Sequence, residues 1–233
     1  SSLMSLNIDA RTVRRKSSTL KSYYKFLLKY GVIKSSPMDG VPLPKQSKKL
    51  PKFVDEKRMA DLLCEINFSE DFKGKRNKLI LEIFYHTGIR LSELVNLKIT
   101  DVDLIKNQLK VLGKRNKERM VPFSFELSET IKQFLPYRNS SSSFLFVTEQ
   151  GVQVYNKLVY RIVNRCLGKV TTLSQKSPHV LRHTFATHML DNGAELNAIK
   201  ELLGHVNLAA TEVYTHNSME KIKSVYKQAH PRA

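Results

Sequence analysis

The chain has 233 residues, of which 41% are hydrophobic, enough for one large domain or two small ones with a sizeable core. Its net charge is +18 at pH 7, and an excess of this size usually indicates a polyanionic partner, first nucleic acid and second an acidic membrane surface. No apolar run is long enough to span a bilayer and no signal-peptide core opens the chain, so we expect a cytoplasmic protein.

The two cysteines, Cys64 and Cys166, do not have the spacing of a metal site. We expect buried thiols rather than a disulfide, which fits the reducing environment of the cytosol. The carboxylates form no cluster typical of a Mg²⁺ site. The sequence therefore predicts neither a metal nor another cofactor.

A strongly basic helix is predicted over residues 7–30, because apolar residues from Leu20 to Leu27 recur at helical spacing and Gly31 follows as a stop. Runs of charge usually mark a solvated face, but here every charge after Asp9 is positive, which favours contact with a DNA backbone. The predicted DNA contacts in this helix are Arg11, Arg14, Arg15, Lys21 and Lys25.

A linker is predicted next, because residues 41–52 contain three prolines and four lysines, which suit an extended, solvated segment. The sequence thus divides into a helical segment over residues 1–44, a linker over residues 45–52 and a larger domain over residues 53–233.

Alternating and helical patterns after the linker predict a mainly α fold with a small antiparallel β-sheet, of the α+β class. Helices are expected at 56–66, 78–85, 127–134 and 155–166, and strands at 109–112 and 119–123, with an edge strand at 144–147. The segment 78–85 is more uniformly apolar than 56–66, which is typical of a central, buried helix.

The turn between the two strands, residues 113–118, is polar and basic. Arg115 and Lys117 at this tip suit entry into a DNA groove, although a solvated loop would carry the same residues. We expect both side chains to contact DNA.

A helix is predicted to begin after Ser177, which is a good N-cap, with Pro178 at the first helical position. Such a helix places His179 and Arg182 three residues apart on one face. Both side chains could therefore act on one phosphate.

Two glycines, Gly193 and Gly204, are expected to end this helix and the next one. His205 then lies just past a helix end, and Tyr214 lies in the following short helix. Both side chains could act on the same phosphate as the preceding pair.

This stretch has two other interpretations. His179 and His183 have the H-x-x-x-H spacing of a zinc metalloprotease helix, but that motif needs a glutamate after the first histidine, and Val180 stands there. The other interpretation is a core helix with surface histidines and a packed tyrosine. It fits each residue alone but not the whole set with its upstream partners.

Three motifs carry a specific resemblance to a known family. They are H-T-G-I-R-L-S-E-L at 86–94, V-L-G-K-R-N-K-E-R-M-V-P at 111–122, and the stretch from 177 to 214. Together, in this order, they resemble the tyrosine recombinases, the phage-integrase or Xer-like family, from about Lys45 to the end of the chain. The resemblance implies a tyrosine recombinase catalytic domain preceded by a partial helical core-binding domain.

The resemblance implies six catalytic residues, namely Arg90, Lys114, His179, Arg182, His205 and Tyr214. The two arginines would bind the scissile phosphate, which the tyrosine would attack. The lysine would protonate the leaving 5′ oxygen. One histidine, His179, would take the proton of the phenol, and the other, His205, would hydrogen-bond the phosphate.

Glu93 would orient an arginine, and an ordinary salt bridge between Arg90 and Glu93 is the structural alternative. Two guanidiniums suit a phosphodiester because their fork geometry matches its oxygens and they keep their charge. A tyrosine hydroxyl, with an ordinary pKa of about 10, needs a base or a cationic pocket to attack. No metal is required, because the arginines and the lysine supply the positive charge.

The implied activity is site-specific DNA recombination through a 3′-phosphotyrosyl intermediate, with strand exchange by way of a Holliday junction. The implied partners are double-stranded DNA with an inverted-repeat site and three further copies of the chain, joined through a last helix that Ser218 would cap. Packing of that helix on its own chain is the alternative. A nicking and resealing enzyme like the type IB topoisomerases, and a catalytically silent DNA-binding protein, are the rival functions.

Overall fold

The computed structural model describes residues 8–44, 52–65, 67–113, 117–204 and 216–233. The chain forms two compact units, Ser1–Leu50 and Pro51–Ala233. The described residues are mostly helical and include one three-stranded antiparallel sheet, which confirms the predicted fold class. None of the helices in these ranges is both long enough and apolar enough to cross a bilayer.

The first unit is built on one helix, α1 (Ala10–Lys29), which is shorter at both ends than predicted. It begins at Ala10 because the carboxylate of Asp9 accepts a hydrogen bond from the backbone N–H of Arg11 at 2.8 Å. It is followed by Gly31, whose φ of 68° is the left-handed conformation that glycine adopts readily.

The second unit contains eight α-helices within the described ranges. They are α2 (Glu56–Ala60), α3 (Phe72–Thr87), α4 (Leu91–Val95), α5 (Phe125–Phe134), α6 (Asn156–Val170), α7 (Pro178–Asp191), α8 (Leu196–Leu203) and α9 (His216–Ala229). A π-helical turn, Asp61–Glu65, continues α2, so the helix predicted over 56–66 is split into two forms.

The sheet has the order β1 (Val102–Asp103), β2 (Gln108–Leu112), β3 (Glu118–Pro122), and each neighbouring pair is antiparallel. The two predicted strands are present, whereas β1 was not predicted because a two-residue strand leaves no alternation to detect. The predicted edge strand at 144–147 is wrong. Phe144 and Val147 form single bridges with two different segments, so this buried stretch belongs to no sheet.

Helix α3 is the centre of the second unit, as predicted, and is longer than the apolar run 78–85. The carboxylate of Asp71 accepts a hydrogen bond from the N–H of Gly74 at 2.7 Å, which fixes the start of the helix before the apolar residues begin. Leu79, Ile80 and Phe84 are fully buried, and α3 packs against α5 and α7.

Other local predictions had mixed outcomes. Ser177 occupies the N-cap position of α7, but its side chain makes no capping hydrogen bond. The last helix begins at His216 and not after a cap at Ser218. Both cysteines are free, as expected, but Cys64 is exposed and only Cys166 is buried.

The end of the chain packs against α3 through aromatic and imidazole rings. The ring of His230 stacks on those of Tyr226 and His86, with centroids 4.9 and 5.0 Å apart. Its Nε2 also lies 3.1 Å from the carbonyl oxygen of Tyr85. Ile222, Tyr226 and Ala229 of α9 are therefore buried on their own chain in this structure.

These buried histidines make stability depend on pH. Burial lowers the pKa of His230 to about 4 and that of His86 well below its ordinary 6.5. Above pH 6.5 both rings are neutral in the folded and unfolded chain, so they do not affect stability. As the pH falls from 6.5 towards 4, the unfolded chain takes up protons that the folded chain does not, and stability declines.

We therefore expect the free energy of unfolding, measured with urea, to fall between pH 6.5 and 5. His230→Phe keeps an aromatic ring in the stack and removes one of the titrating groups. Its stability should fall less steeply over the same interval. Equal slopes for the two proteins would contradict this assignment.

Gly88 ends α3 in the left-handed conformation with φ of 59°. A Cβ added there would lie 2.5 Å from Cδ1 of Phe185 and 2.8 Å from Cδ2 of Leu203, well inside van der Waals contact. Gly193 has a similar conformation, with φ of 86°, but a Cβ there would meet nothing within 4 Å.

We expect Gly193→Ala to cost about 1 kcal/mol, from backbone strain alone. Gly88→Ala should cost about 3 kcal/mol or more, since overpacking is added to the same strain. Urea denaturation of both variants measures the difference. Similar losses would show that the close approach of α7 and α8 to Gly88 does not contribute.

Candidate active site

Arg182 ties α7 to the ends of two other helices. Its side chain is buried, and its two terminal nitrogens donate hydrogen bonds to the carbonyl oxygens of Gly88, at 2.6 Å, and Leu203, at 2.7 Å. Gly88 follows α3, and Leu203 is the last residue of α8. The predicted arginine therefore lies where three helices meet.

Arg90, from the other end of the domain sequence, reaches the same place. Its Nη2 donates to the carbonyl oxygen of Gly204 at 2.9 Å, one residue beyond the carbonyl that Arg182 contacts. Its side chain keeps 34% of its surface exposed. The structure thus brings the two predicted phosphate-binding guanidiniums to neighbouring positions, one buried and one open to solvent.

Glu93 bonds to Arg90 twice. One carboxylate oxygen accepts from the backbone N–H of Arg90 at 2.7 Å, and the other accepts from its Nη1 at 2.8 Å. The ion pair weighed in the sequence as a structural alternative is therefore present. This ion pair does not exclude a functional role for Arg90, because only Nη1 of the guanidinium bonds to Glu93, whereas Nη2 bonds to the Gly204 carbonyl.

A third arginine, Arg119 of β3, was not singled out in the sequence. It is buried and forms a two-point ion pair with Glu93, at 2.7 and 3.0 Å. Its Nε also donates to the carbonyl oxygen of Leu202 at 2.9 Å. Strand alternation could have indicated its importance, because Arg119 shares the inward face of β3 with Val121. An unpaired charge on that face would be costly, so Arg119 needs a partner.

The electrostatics follow from this crowding of charge. Burial, together with the positive charges of Arg90 and Arg119, lowers the pKa of Arg182 to about 10, so it stays protonated at neutral pH. Burial would raise the pKa of Glu93, but the hydrogen bonds and charge of Arg119, with those of Arg90, lower it to about 2. Arg90 and Arg119 thus share one ionised carboxylate, and the third guanidinium, that of Arg182, bonds to carbonyl oxygens instead.

The remaining predicted site residues fall into two groups. His179 is exposed in the first turn of α7, on the same helix as Arg182, and Lys117 is exposed just before β3. Four others lie outside the described residues, namely Lys114, Arg115, His205 and Tyr214.

The predicted DNA contacts of the first unit are exposed along α1, namely Arg11, Arg14, Arg15, Lys21 and Lys25. Arg14 also donates to the carbonyl oxygen of Pro44 at 3.2 Å. The aromatic rings of Tyr23 and Phe26 are exposed on the same helix. Their interleaving with positive charges suits a nucleic-acid surface.

No group of three or more His, Cys, Asp or Glu side chains among the described residues could hold a metal ion. The pair weighed as half of a zinc site, His179 and His183, lies in α7 with no third ligand in this part of the structure.

Comparison with known proteins identifies the fold and the class. Residues 52–221 match the phage integrase family. The chain is 39% identical over 256 residues to the tyrosine recombinase XerC of Chlorobaculum parvum, covering 99% of this chain and 76% of that protein. The crystal structure of XerA recombinase is 28% identical with a TM-score of 0.60, covering 97% of this chain and 85% of that one.

A second solved structure is XerH site-specific recombinase bound to its difH substrate in a pre-cleavage complex. It is 26% identical with a TM-score of 0.62, and the match covers 80% of this chain and 57% of that chain. These matches and the shared fold define an enzyme of the DNA breaking and rejoining class. The chain belongs to the phage integrase family, and within it to the tyrosine recombinases.

The shared carboxylate can be tested directly. Glu93→Gln keeps the shape of the side chain but removes the charge that Arg90 and Arg119 share, leaving the buried guanidinium of Arg119 without a counter-ion. We expect a loss of about 3 kcal/mol in the free energy of unfolding, measured with urea.

The matched control is Glu118→Gln, which removes an exposed carboxylate 3.7 Å from Lys110. Its effect should stay within about 0.5 kcal/mol. A small loss for both variants would show that the buried pair does not stabilise the fold.

Proposed function

We propose that this site-specific DNA recombinase uses Tyr214 to attack a DNA phosphodiester held by Arg90 and Arg182, giving a 3′-phosphotyrosyl intermediate and a free 5′-hydroxyl. The observation that carries the proposal is the convergence of these two guanidiniums on the adjoining carbonyls of Leu203 and Gly204.

The two arginines suit an anionic transition state. Charge builds on the non-bridging oxygens when a phosphodiester is attacked, and positioned cationic donors stabilise it without reorganising. The bonds to backbone and Glu93 leave further N–H donors on both guanidiniums. Because Arg182 is fixed by two carbonyls, it can present those donors in one orientation.

Proton transfer is assigned from the family's motifs and supported by chain position. His179, exposed one helical turn before Arg182, would take the proton of the Tyr214 hydroxyl. Lys114 would give a proton to the leaving 5′ oxygen. His205 follows directly after the residue whose carbonyl holds Arg90, and it would hydrogen-bond the phosphate.

The covalent bond to tyrosine keeps the energy of the broken phosphodiester, so the free 5′-hydroxyl can attack it and rejoin the strand without a cofactor. Exchange of strands in pairs then passes through a Holliday junction on an inverted-repeat site held by four copies of the chain. The reaction would take place in the cytoplasm.

Assembly would use α9, and the structure adds a requirement. In this structure Ile222 and Tyr226 of α9 are buried on their own chain. Docking of α9 on a neighbouring protomer would therefore require this contact to be released first.

Further DNA contacts are assigned to helix α1 and to the tip of the β2–β3 hairpin. Residues 1–44 would act as a partial core-binding segment, residues 45–52 as a linker, and residues 53–233 as the catalytic domain. The exposed arginines and lysines of α1 would contact the DNA backbone, with Arg115 and Lys117 at the hairpin tip.

A nicked duplex that traps the covalent intermediate tests the proposal. Its sequence would be selected from a random duplex pool with the wild-type protein. We expect covalent protein on this DNA with the wild type and none with Tyr214→Phe, because the phenol oxygen is the nucleophile. Arg182→Lys should form the adduct about a hundred- to a thousandfold more slowly.

Tyr160→Phe is the matched control, since Tyr160 is an exposed tyrosine of α6 outside the proposed site. It should form the adduct at the wild-type rate. An adduct with Tyr214→Phe would refute the assigned nucleophile, and no adduct with the wild type on any selected duplex would refute the proposed chemistry.

A further inference from the structure

The ion pair between Arg119 and Glu93 contacts three parts of the proposed site. It bonds to Arg90 through the carboxylate of Glu93. It bonds to the end of α8 through the Nε of Arg119 and the carbonyl of Leu202. It also lies beside Gly113, at the end of β2.

Two glycines allow the backbone to approach this pair closely. A Cβ on Gly204 would lie 3.2 Å from the Cδ, Nε and Cζ atoms of Arg119. A Cβ on Gly113 would lie 3.6 Å from Nη1 of Arg119 and 3.8 Å from a carboxylate oxygen of Glu93. The guanidinium therefore fits directly against both segments of main chain.

Each of these glycines directly precedes a residue of the proposed site. The residue after Gly113 is Lys114, and the residue after Gly204 is His205. The buried pair thus touches the chain next to the proposed general acid, next to a proposed phosphate ligand, and at the proposed phosphate-binding Arg90.

We propose that Arg119 is a positioning residue for the recombination reaction, one that sets Arg90, the hairpin carrying Lys114 and the end of α8 preceding His205 relative to one another. The inference rests on the proposed function and extends it to a residue that would not contact DNA. Buried at 5% exposure, Arg119 acts through its partners.

The physical reason is that two anions, the Glu93 carboxylate and a DNA phosphate, would compete for the guanidinium of Arg90. Glu93 is ionised, and with Arg119 in place its charge is shared between two guanidiniums. Without Arg119, the whole charge of a buried carboxylate would fall on Arg90, drawing it towards Glu93 and away from a phosphate. The Leu202 carbonyl would also lose its donor, which loosens the end of α8.

The test uses Arg119→Lys, which keeps the charge but lacks the planar fork that reaches both oxygens of Glu93 and the Leu202 carbonyl. On the selected nicked duplex, we expect single-turnover adduct formation to fall about a hundredfold, because small misplacements of reacting groups cost about that much. The dissociation constant for the same duplex should change by less than about twofold.

A matched control is Arg76→Lys. Arg76 is also buried, donates to the carbonyl of Val147 at 3.1 Å and belongs to the first turns of α3, at the opposite end of that helix from Gly88. We expect Arg76→Lys and Arg119→Lys both to lose thermal stability, but Arg76→Lys should form the adduct at the wild-type rate per folded molecule.

A second variant keeps the proposal testable should the lysine unfold the protein. Glu93→Gln/Arg119→Gln replaces the ion pair with two neutral amides, which avoids an unpaired buried charge. We expect its melting temperature to return towards that of the wild type, while adduct formation stays slow.

The outcomes separate the two levels of inference. Wild-type cleavage rates in Arg119→Lys, an equal defect in Arg76→Lys, or recovery of cleavage together with stability in the double variant would each overturn the positioning role. Failure of the wild type to form an adduct would instead overturn the proposed function.

Discussion

The site depends on the C-terminal end of α8, where successive carbonyls accept hydrogen bonds from three arginines. Leu202 accepts from Arg119, Leu203 from Arg182 and Gly204 from Arg90. The last carbonyls of a helix have no partners within it and carry partial negative charge, so they attract cations. A short helix can therefore collect side chains from three distant parts of the sequence.

This arrangement leaves the site short of negative charge. Glu93 is the carboxylate that bonds to this cluster in the described structure, and two of its arginines already share it. The mutual repulsion contributes to the lowered pKa of Arg182. A bound phosphate would relieve that repulsion, so DNA binding should stabilise the folded enzyme.

The elements and residues that a local sequence pattern marks could be predicted, whereas those defined by tertiary contacts could not. The apolar run of α3 and the alternation of β2 and β3 predicted those elements, and motifs pointed to Arg90 and Arg182. Arg119 lies within the motif at 111–122, but nothing in that motif distinguishes it from an ordinary strand residue. Its importance comes from its partners, Glu93 and Leu202, which lie far from it in sequence.

The failures elsewhere have a similar cause. The segment 144–147 has the composition of a strand, yet the residues that pair with it come from two different segments, so no ladder forms. Strand β1 exists only because Val102 lies opposite Leu109, which a two-residue pattern cannot reveal. The proposed roles of the catalytic side chains likewise come from the family's motifs and not from periodicity.

Helix α3 connects the end of the chain with the arginine cluster. His86 lies against Tyr226 and His230 of the C-terminal region, and two residues later Gly88 accepts a hydrogen bond from Arg182. The backbone between these positions is the last turn of a fully packed helix, so it cannot absorb a shift at one end without transmitting it. If α9 left its place, His86 would lose its contact with Tyr226, two residues before the carbonyl that helps to orient Arg182. The packing of α9 and the geometry of the site are thus linked through one helical turn.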